Sequence, residues 1–91
     1  MADVIIKTRI TIENPDTNPE QTQEKIKQII EKEQGKIHQT EIKPYVFGLK
    51  AIELTFIIPE KDGGTDKIEE EIKKIPEIGN LEILQISRTL G

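Results

Sequence analysis

"LKAIELTFIIPEKDGGTDKIEEEIKKIPEIGN", residues 49–80, changes its apolar period from two residues to about 3.6 within one stretch. Ile52, Leu54, Phe56 and Ile58 point one way, and Glu53, Thr55 and Ile57 the other, the alternation of a half-buried strand. Pro59 ends it, because proline has no N–H for the ladder. Glu60 to Gly64 is a polar turn. Thr65 then caps a helix with Asp66 in its first turn, where a negative charge suits the helix dipole. Ile68, Ile72 and Ile75 form its buried stripe at i, i+4, i+7, Pro76 stops it, and Gly79-Asn80 turns the chain. Residues 81–88, "LEILQISR", read as a last strand packed on both sides near its middle.

The upstream half repeats this plan. In residues 4–12 Val4, Ile6, Ile10 and Ile12 share one face with Thr8, while Lys7, Arg9 and Thr11 take the other. Asn14-Pro15-Asp16-Thr17 is turn chemistry. Asn18 is an N-cap, with Pro19 at the first helical position, Glu20 in the first turn and Gln21 in the capping-box place. Ile26, Ile29 and Ile30 form the stripe, with Thr22 and Glu33 near its edges, and Gly35 is the expected stop of a helix over about 19–34. In residues 36–44 Ile37 and Ile42 have opposite parity, which a bulge or an exposed edge strand reconciles. Lys36, His38 and Lys43 would protect such an edge.

The order is strand, helix, strand, strand, helix, strand over one domain, residues 1–91. Two β-α-β halves joined by a hairpin predict the α+β, ferredoxin-like split β-α-β sandwich (βαββαβ): a four-stranded antiparallel sheet with two helices on one face. The other face, carrying Lys7, Arg9, Thr11, Glu53 and Thr55, is expected to look outward.

Composition narrows the function classes. Net charge is −4 from 17 acids and 13 bases, which does not favour direct nucleic-acid binding. The chain has no Cys, so it has neither a disulfide framework nor a thiolate metal site. No apolar run approaches a membrane span and no signal peptide is evident, so a cytoplasmic protein without a membrane partner is expected. Heavy Lys/Glu usage is in keeping with work at high temperature.

Catalytic groups are scarce. His38 is the sole His and reads as a solvated edge residue; Ser87 is the sole Ser and has no nucleophile elbow around it. Glu69-Glu70-Glu71 followed by Lys73-Lys74 reads as a solvated helix face with i,i+4 pairs. One His and no Asp-rich loop leave no metal site. "DGGTDK", 62–67, lacks phosphate-loop spacing and reads as a turn and cap. No catalytic residue, cofactor or metal is therefore expected. By elimination the domain is expected to be a binding module; a monomer is expected when it is free.

Two of the three aromatic residues, Tyr45 and Phe47, lie in "KPYVFGLK", 43–50, at the hairpin. Burial is the ordinary fate of such rings. Here the hairpin tip projects, and Gly48 permits a sharp turn that presents Phe47 outward, in the manner of an interface anchor.

The stretch "PYVFGLKAIELTFIIPEKDGGTDKIEEEI", 44–72, resembles the guanine nucleotide exchange domain of translation elongation factor 1-beta. The matching residues are Pro44, Phe47, Gly48, Leu49 and Lys50, then Asp62 in the acidic turn and Asp66 at the helix start. The resemblance spans the whole chain, in the archaeal form that consists of this domain. It implies the same fold, and exchange of GDP for GTP on the elongation factor 1-alpha GTPase without bond chemistry. It also implies that the aromatic before Gly, here Phe47, inserts into the GTPase, with Tyr45, Gly48 and Lys50 beside it at the interface. Near its C-terminal end the family carries a Lys that works close to the GTPase's magnesium and phosphate. Here Arg88 falls in that place, followed by Thr89-Leu90-Gly91, keeping the charge on a planar, forked head. A small-ligand regulatory module of the same fold, using the Gly63-Gly64 loop and a self-pairing edge, is the alternative. An RNA-binding sheet is a third, for which the stacking aromatics on central strands are missing.

Overall fold

In the computed structural model, residues 3–14, 16–59 and 64–89 are described, without the side chains of Gly64, Thr65 and Thr89. The elements are β1 (Asp3–Ile12), α1 (Pro19–Lys32), β2 (Lys36–Pro44), a tight turn at Val46–Gly48, β3 (Lys50–Pro59), α2 (Gly64–Lys73) and β4 (Ile78–Thr89). The strands form one antiparallel sheet in the order β2-β3-β1-β4, the ferredoxin-like plan expected. Along the central pair, Ile6, Ile10, Ile52, Leu54, Phe56 and Ile58 share one face and bury against Ile26 and Ile30 of α1 and Ile68 and Ile72 of α2. Thr8 interrupts that apolar row, but its hydroxyl donates to the Leu54 carbonyl at 3.1 Å, so its burial leaves no orphan donor.

Local chemistry accounts for the helix ends, with changes at the end of α1 and the start of α2, while Gly79-Asn80, expected as a turn, lies inside β4 with Asn80 paired to Thr11. Asn18 caps α1, its side-chain oxygen accepting from Glu20 N at 2.9 Å, and Pro19 opens the helix. The last helical residue is Lys32, and the left-handed residue that breaks the helix is Gln34 (φ 66°), not Gly35. Gln34 N–H bonds Glu31 O at 3.0 Å and Gly35 N–H bonds Ile30 O at 2.8 Å, a Schellman closure. Gly35 is needed for space: a Cβ there would lie 2.7 Å from the γ2 methyls of both Ile30 and Ile58. Helix α2 begins at Gly64, one residue before the expected Thr65 cap. The Thr65 side chain and the Glu60–Gly63 turn, with Asp62 and Gly63, lie outside the described residues, as do Pro15, Leu90 and Gly91.

The parity conflict in β2 has both of the expected causes. Its register on β3 shifts between Ile37 and Gln39, leaving His38 as the extra residue, and nearly the whole strand is exposed at the sheet edge.

Three expectations are corrected. First, β4 is not packed on both sides: it is the other edge strand, its register on β1 shifts between Ile83 and Gln85, and Leu84 and Ile86 are exposed there. Second, Thr11 is only 7% exposed although its parity is outward. It lies beside the small Ala51, in a row flanked by the longer Lys43 and Asn80. Third, Glu71 is not part of a solvated i,i+4 ladder. It crosses to Lys32 of α1 at 3.5 Å with Oε2 buried, and Lys67 reaches Glu33 at 3.4 Å, so two ion pairs tie the helices together.

Candidate functional site: the β2–β3 hairpin tip

The tip is built by a backbone that few residues adopt. Leu49 N–H bonds Val46 O at 3.2 Å, closing a turn whose two central residues, Phe47 (φ 59°, ψ 30°) and Gly48 (φ 75°), both have positive φ. That is the signature of the tight hairpin turns that match strand twist. Gly48 adopts it without a Cβ penalty, but Phe47 is a bulky residue in the left-handed region, a genuine outlier. Gly48 permits the sharp turn as expected, and Phe47 supplies its other left-handed residue. Tyr45 N–H also bonds Leu49 O at 2.7 Å, so the corner is held by two backbone bonds.

The consequence is exposure. Phe47 is 96% accessible, Val46 56%, Ile42 37% and Tyr45 36%. Of the candidate residues, the structure brings Tyr45, Phe47, Gly48 and Lys50 together within this corner. Behind it on the open sheet face, Lys43 forms ion pairs with Glu53 at 3.3 Å and Glu41 at 3.7 Å, and Arg9 adds a 3.6 Å contact to Glu53. The Lys43 hydrogen bond, assisted by its charge, holds the Glu53 carboxyl below its ordinary range against the penalty of burial, and the same bond raises Lys43. The charges beneath the tip are therefore fixed.

Arg88 is placed elsewhere. It pairs with Val4, whereas Lys50 pairs with Ile12 on the same strand. The separation is eight residues of strand, about 26 Å. Within a body whose extents are 41 × 19 × 17 Å, the two candidate contacts occupy opposite ends of the sheet. Nothing in the sequence alone gives this spacing; it follows from the register of β1 with both neighbours.

Other sites are weaker. An open cleft of about 590 Å³ has acidic lining from Glu13, Asp16 and Glu77. Glu77 is already engaged, accepting from the Thr22 hydroxyl at 2.9 Å and Lys25 at 3.1 Å. Burial alone would raise its carboxyl, but its own backbone N–H, Lys25 and Thr22 outweigh this and hold it below the ordinary value. Among the described residues no group of three or more His, Cys, Asp or Glu is placed to hold a metal ion. Among them, too, no helix is long and apolar enough to cross a membrane.

A family sequence model, the EF-1 guanine nucleotide exchange domain, matches residues 5–89. The chain belongs to this family. Elongation factor 1-beta of Methanocaldococcus jannaschii is 36% identical over 87 residues, 96% of this chain and 98% of that protein. Elongation factor 1-beta of Nanoarchaeum equitans is 34% identical over 80 residues, 88% and 98% of the two chains. The EF-1 exchange-domain match includes the hairpin tip and Arg88 within its span. Solved structures show the fold alone. Ribosomal protein S6 of Thermotoga maritima superposes with TM-score 0.66 at 20% identity, over 96% of this chain and 88% of that one. The ACT domain from a GTP pyrophosphokinase of Chlorobium tepidum gives 0.65 at 18%, over 90% and 99%.

Proposed function

We propose that this protein is a guanine nucleotide exchange factor that binds elongation factor 1-alpha in the cytoplasm and drives out GDP by inserting Phe47 into the GTPase. Membership of the exchange-domain family supports the class of activity. The observation that carries the mechanism is a ring 96% exposed on a strained, doubly hydrogen-bonded corner. Strain of this kind persists where the surroundings impose it and clusters at functional sites.

Exchange requires no bond chemistry. The factor binds the nucleotide-free GTPase more tightly than the loaded one, and by linkage weakens nucleotide binding by the same factor. A preference of about 4 kcal/mol corresponds to roughly a thousandfold weakening. Burying one Phe side chain supplies about 1.5–3 kcal/mol, so the wedge accounts for a large part of that preference if its pocket opens only in the empty state. The corner is already closed by two backbone hydrogen bonds before contact, which lowers the ordering cost relative to an open loop. Tyr45, Gly48 and Lys50 surround the wedge. Arg88, some 26 Å away along the strand direction, acts on a different part of the GTPase, where its charge competes with magnesium or steers docking. The free factor is read as a monomer. The β2 edge carries Lys36, His38, Glu41 and Lys43 and the β4 edge is bulged, both of which oppose edge-to-edge pairing.

The test is release of fluorescent GDP from purified elongation factor 1-alpha. Phe47→Ala should fold as the parent does and lower the maximal release rate by about tenfold or more. Normal acceleration by a folded Phe47→Ala protein would remove the wedge.

A further inference from the structure

Six large hydrophobic side chains are exposed among the described residues, and four of them, Ile42, Tyr45, Val46 and Phe47, belong to the hairpin tip. The wedge uses the ring. It leaves unused a groove of about 240 Å³ beside the turn, lined by Ile42, Lys43, Pro44, Gly48, Leu49 and Lys50. Ile42 and Pro44 have the parity of the helix-covered face, yet Ile42 stays exposed. The helices thus leave this end of β2 uncovered.

We propose that this groove receives an apolar side chain of the same GTPase, flanked there by carboxylates, so that the groove holds the partner while Phe47 opens it. The inference rests on the exchange-factor reading. Three observations argue for that occupant. The lining is mixed in a specific way: aliphatic Ile42, Pro44 and Leu49 between two lysines. From Ile42 to Lys50 there are two cations and no acid; Lys43 is held by Glu41 and Glu53, so Lys50 is the cation that the groove presents to an acidic surface. Lys43 is turned to Glu41 and Glu53, whereas Lys50 is exposed and, among the described residues, joins none of the ion pairs that engage Lys25, Lys32, Lys43 and Lys67. Gly48 completes the opening, since a Cβ there would meet nothing within 4 Å.

A contact made equally with the loaded and the empty GTPase raises affinity without altering release at saturation. The groove and the ring are therefore separable by titration. Release of fluorescent GDP from elongation factor 1-alpha is followed against factor concentration for the parent, Phe47→Ala and Ile42→Ser. Ile42→Ser should need about tenfold more factor for half-maximal rate and keep a plateau within about twofold of the parent. Lys50→Glu should raise the half-saturating concentration and weaken its dependence on salt. An unchanged half-saturating concentration for Ile42→Ser, or a plateau that falls as for Phe47→Ala, overturns the groove assignment. A parental plateau for Phe47→Ala removes the wedge instead and leaves the groove judged by Ile42→Ser alone. If Ile42→Ser does not fold, Ile42→Thr, which keeps the β-branch, carries the same titration.

Discussion

Replacing Phe47 by Asn is expected to make the protein more stable and less active at once. The residue holds φ 59° and ψ 30°. For an L-residue with a Cβ that conformation costs about 1–2 kcal/mol, a cost that Asn largely escapes through local hydrogen bonding of its short side chain. Asn-Gly is also the preferred pair where both central residues of a hairpin turn have positive φ. At 96% exposure the ring contributes almost no burial to the fold, so nothing offsets the gain. About 1 kcal/mol of stabilisation is expected, which raises Tm by about 4–8 °C in a domain of this size. Phe47→Ala serves as the control, because Ala keeps the left-handed penalty and should melt near the parent. Circular-dichroism melts of the three proteins in one buffer, followed by GDP release on the same samples, give both halves of the result. An Asn variant that melts at or below the parent refutes the claim of strain. One that melts higher and still releases GDP normally shows that the strain serves something other than exchange.

Two further outcomes follow from the packing. Gly35→Ala places a methyl 2.7 Å from Ile30 and Ile58 side-chain carbons, and overpacking of that kind should destabilise. The expected loss is about 1–3 kcal/mol by denaturant titration, and a neutral result would mean that the α1–β3 contact relaxes freely. Glu77 has a carboxyl below its ordinary 4.5 when folded, so its contribution is present above that pH and lost as pH falls through the folded value. Melts between about pH 7 and pH 2 should show Glu77→Gln less stable than the parent at neutral pH. The two should converge in acid, and parallel curves would exclude this linkage.

Elements and order were legible because the isoleucines keep strict period wherever one face is buried. VIIKTRITI and KAIELTFIIP are strands whose parity matches their burial almost residue by residue. The parity of Thr11 misled because a short side chain paired between Ala51 and Asn80 exposes little surface even on the open face. The reading of β4 failed because an isoleucine-rich strand looks the same at an edge as at a centre until the sheet order is known. Gly35 was recognised as a boundary residue but for the wrong cause, since a close approach and a positive φ both select glycine. At the site, the presentation of Phe47 was legible from a ring next to Gly at a hairpin. That the ring itself occupies the left-handed region, and that Arg88 stands at the far end of the sheet, depend on backbone angles and register that no local pattern encodes.

The sheet order also governs when this domain is able to fold. β1 is made before both of its neighbours in the sheet, and Asp3 must finally sit between Pro59 and Thr89. Pairings of such long sequence separation form more slowly than local ones. A nascent chain halted before β4 leaves one side of β1 unpaired, an open edge that invites aggregation. The domain thus attains its native state only after β4, its last strand, has been synthesised.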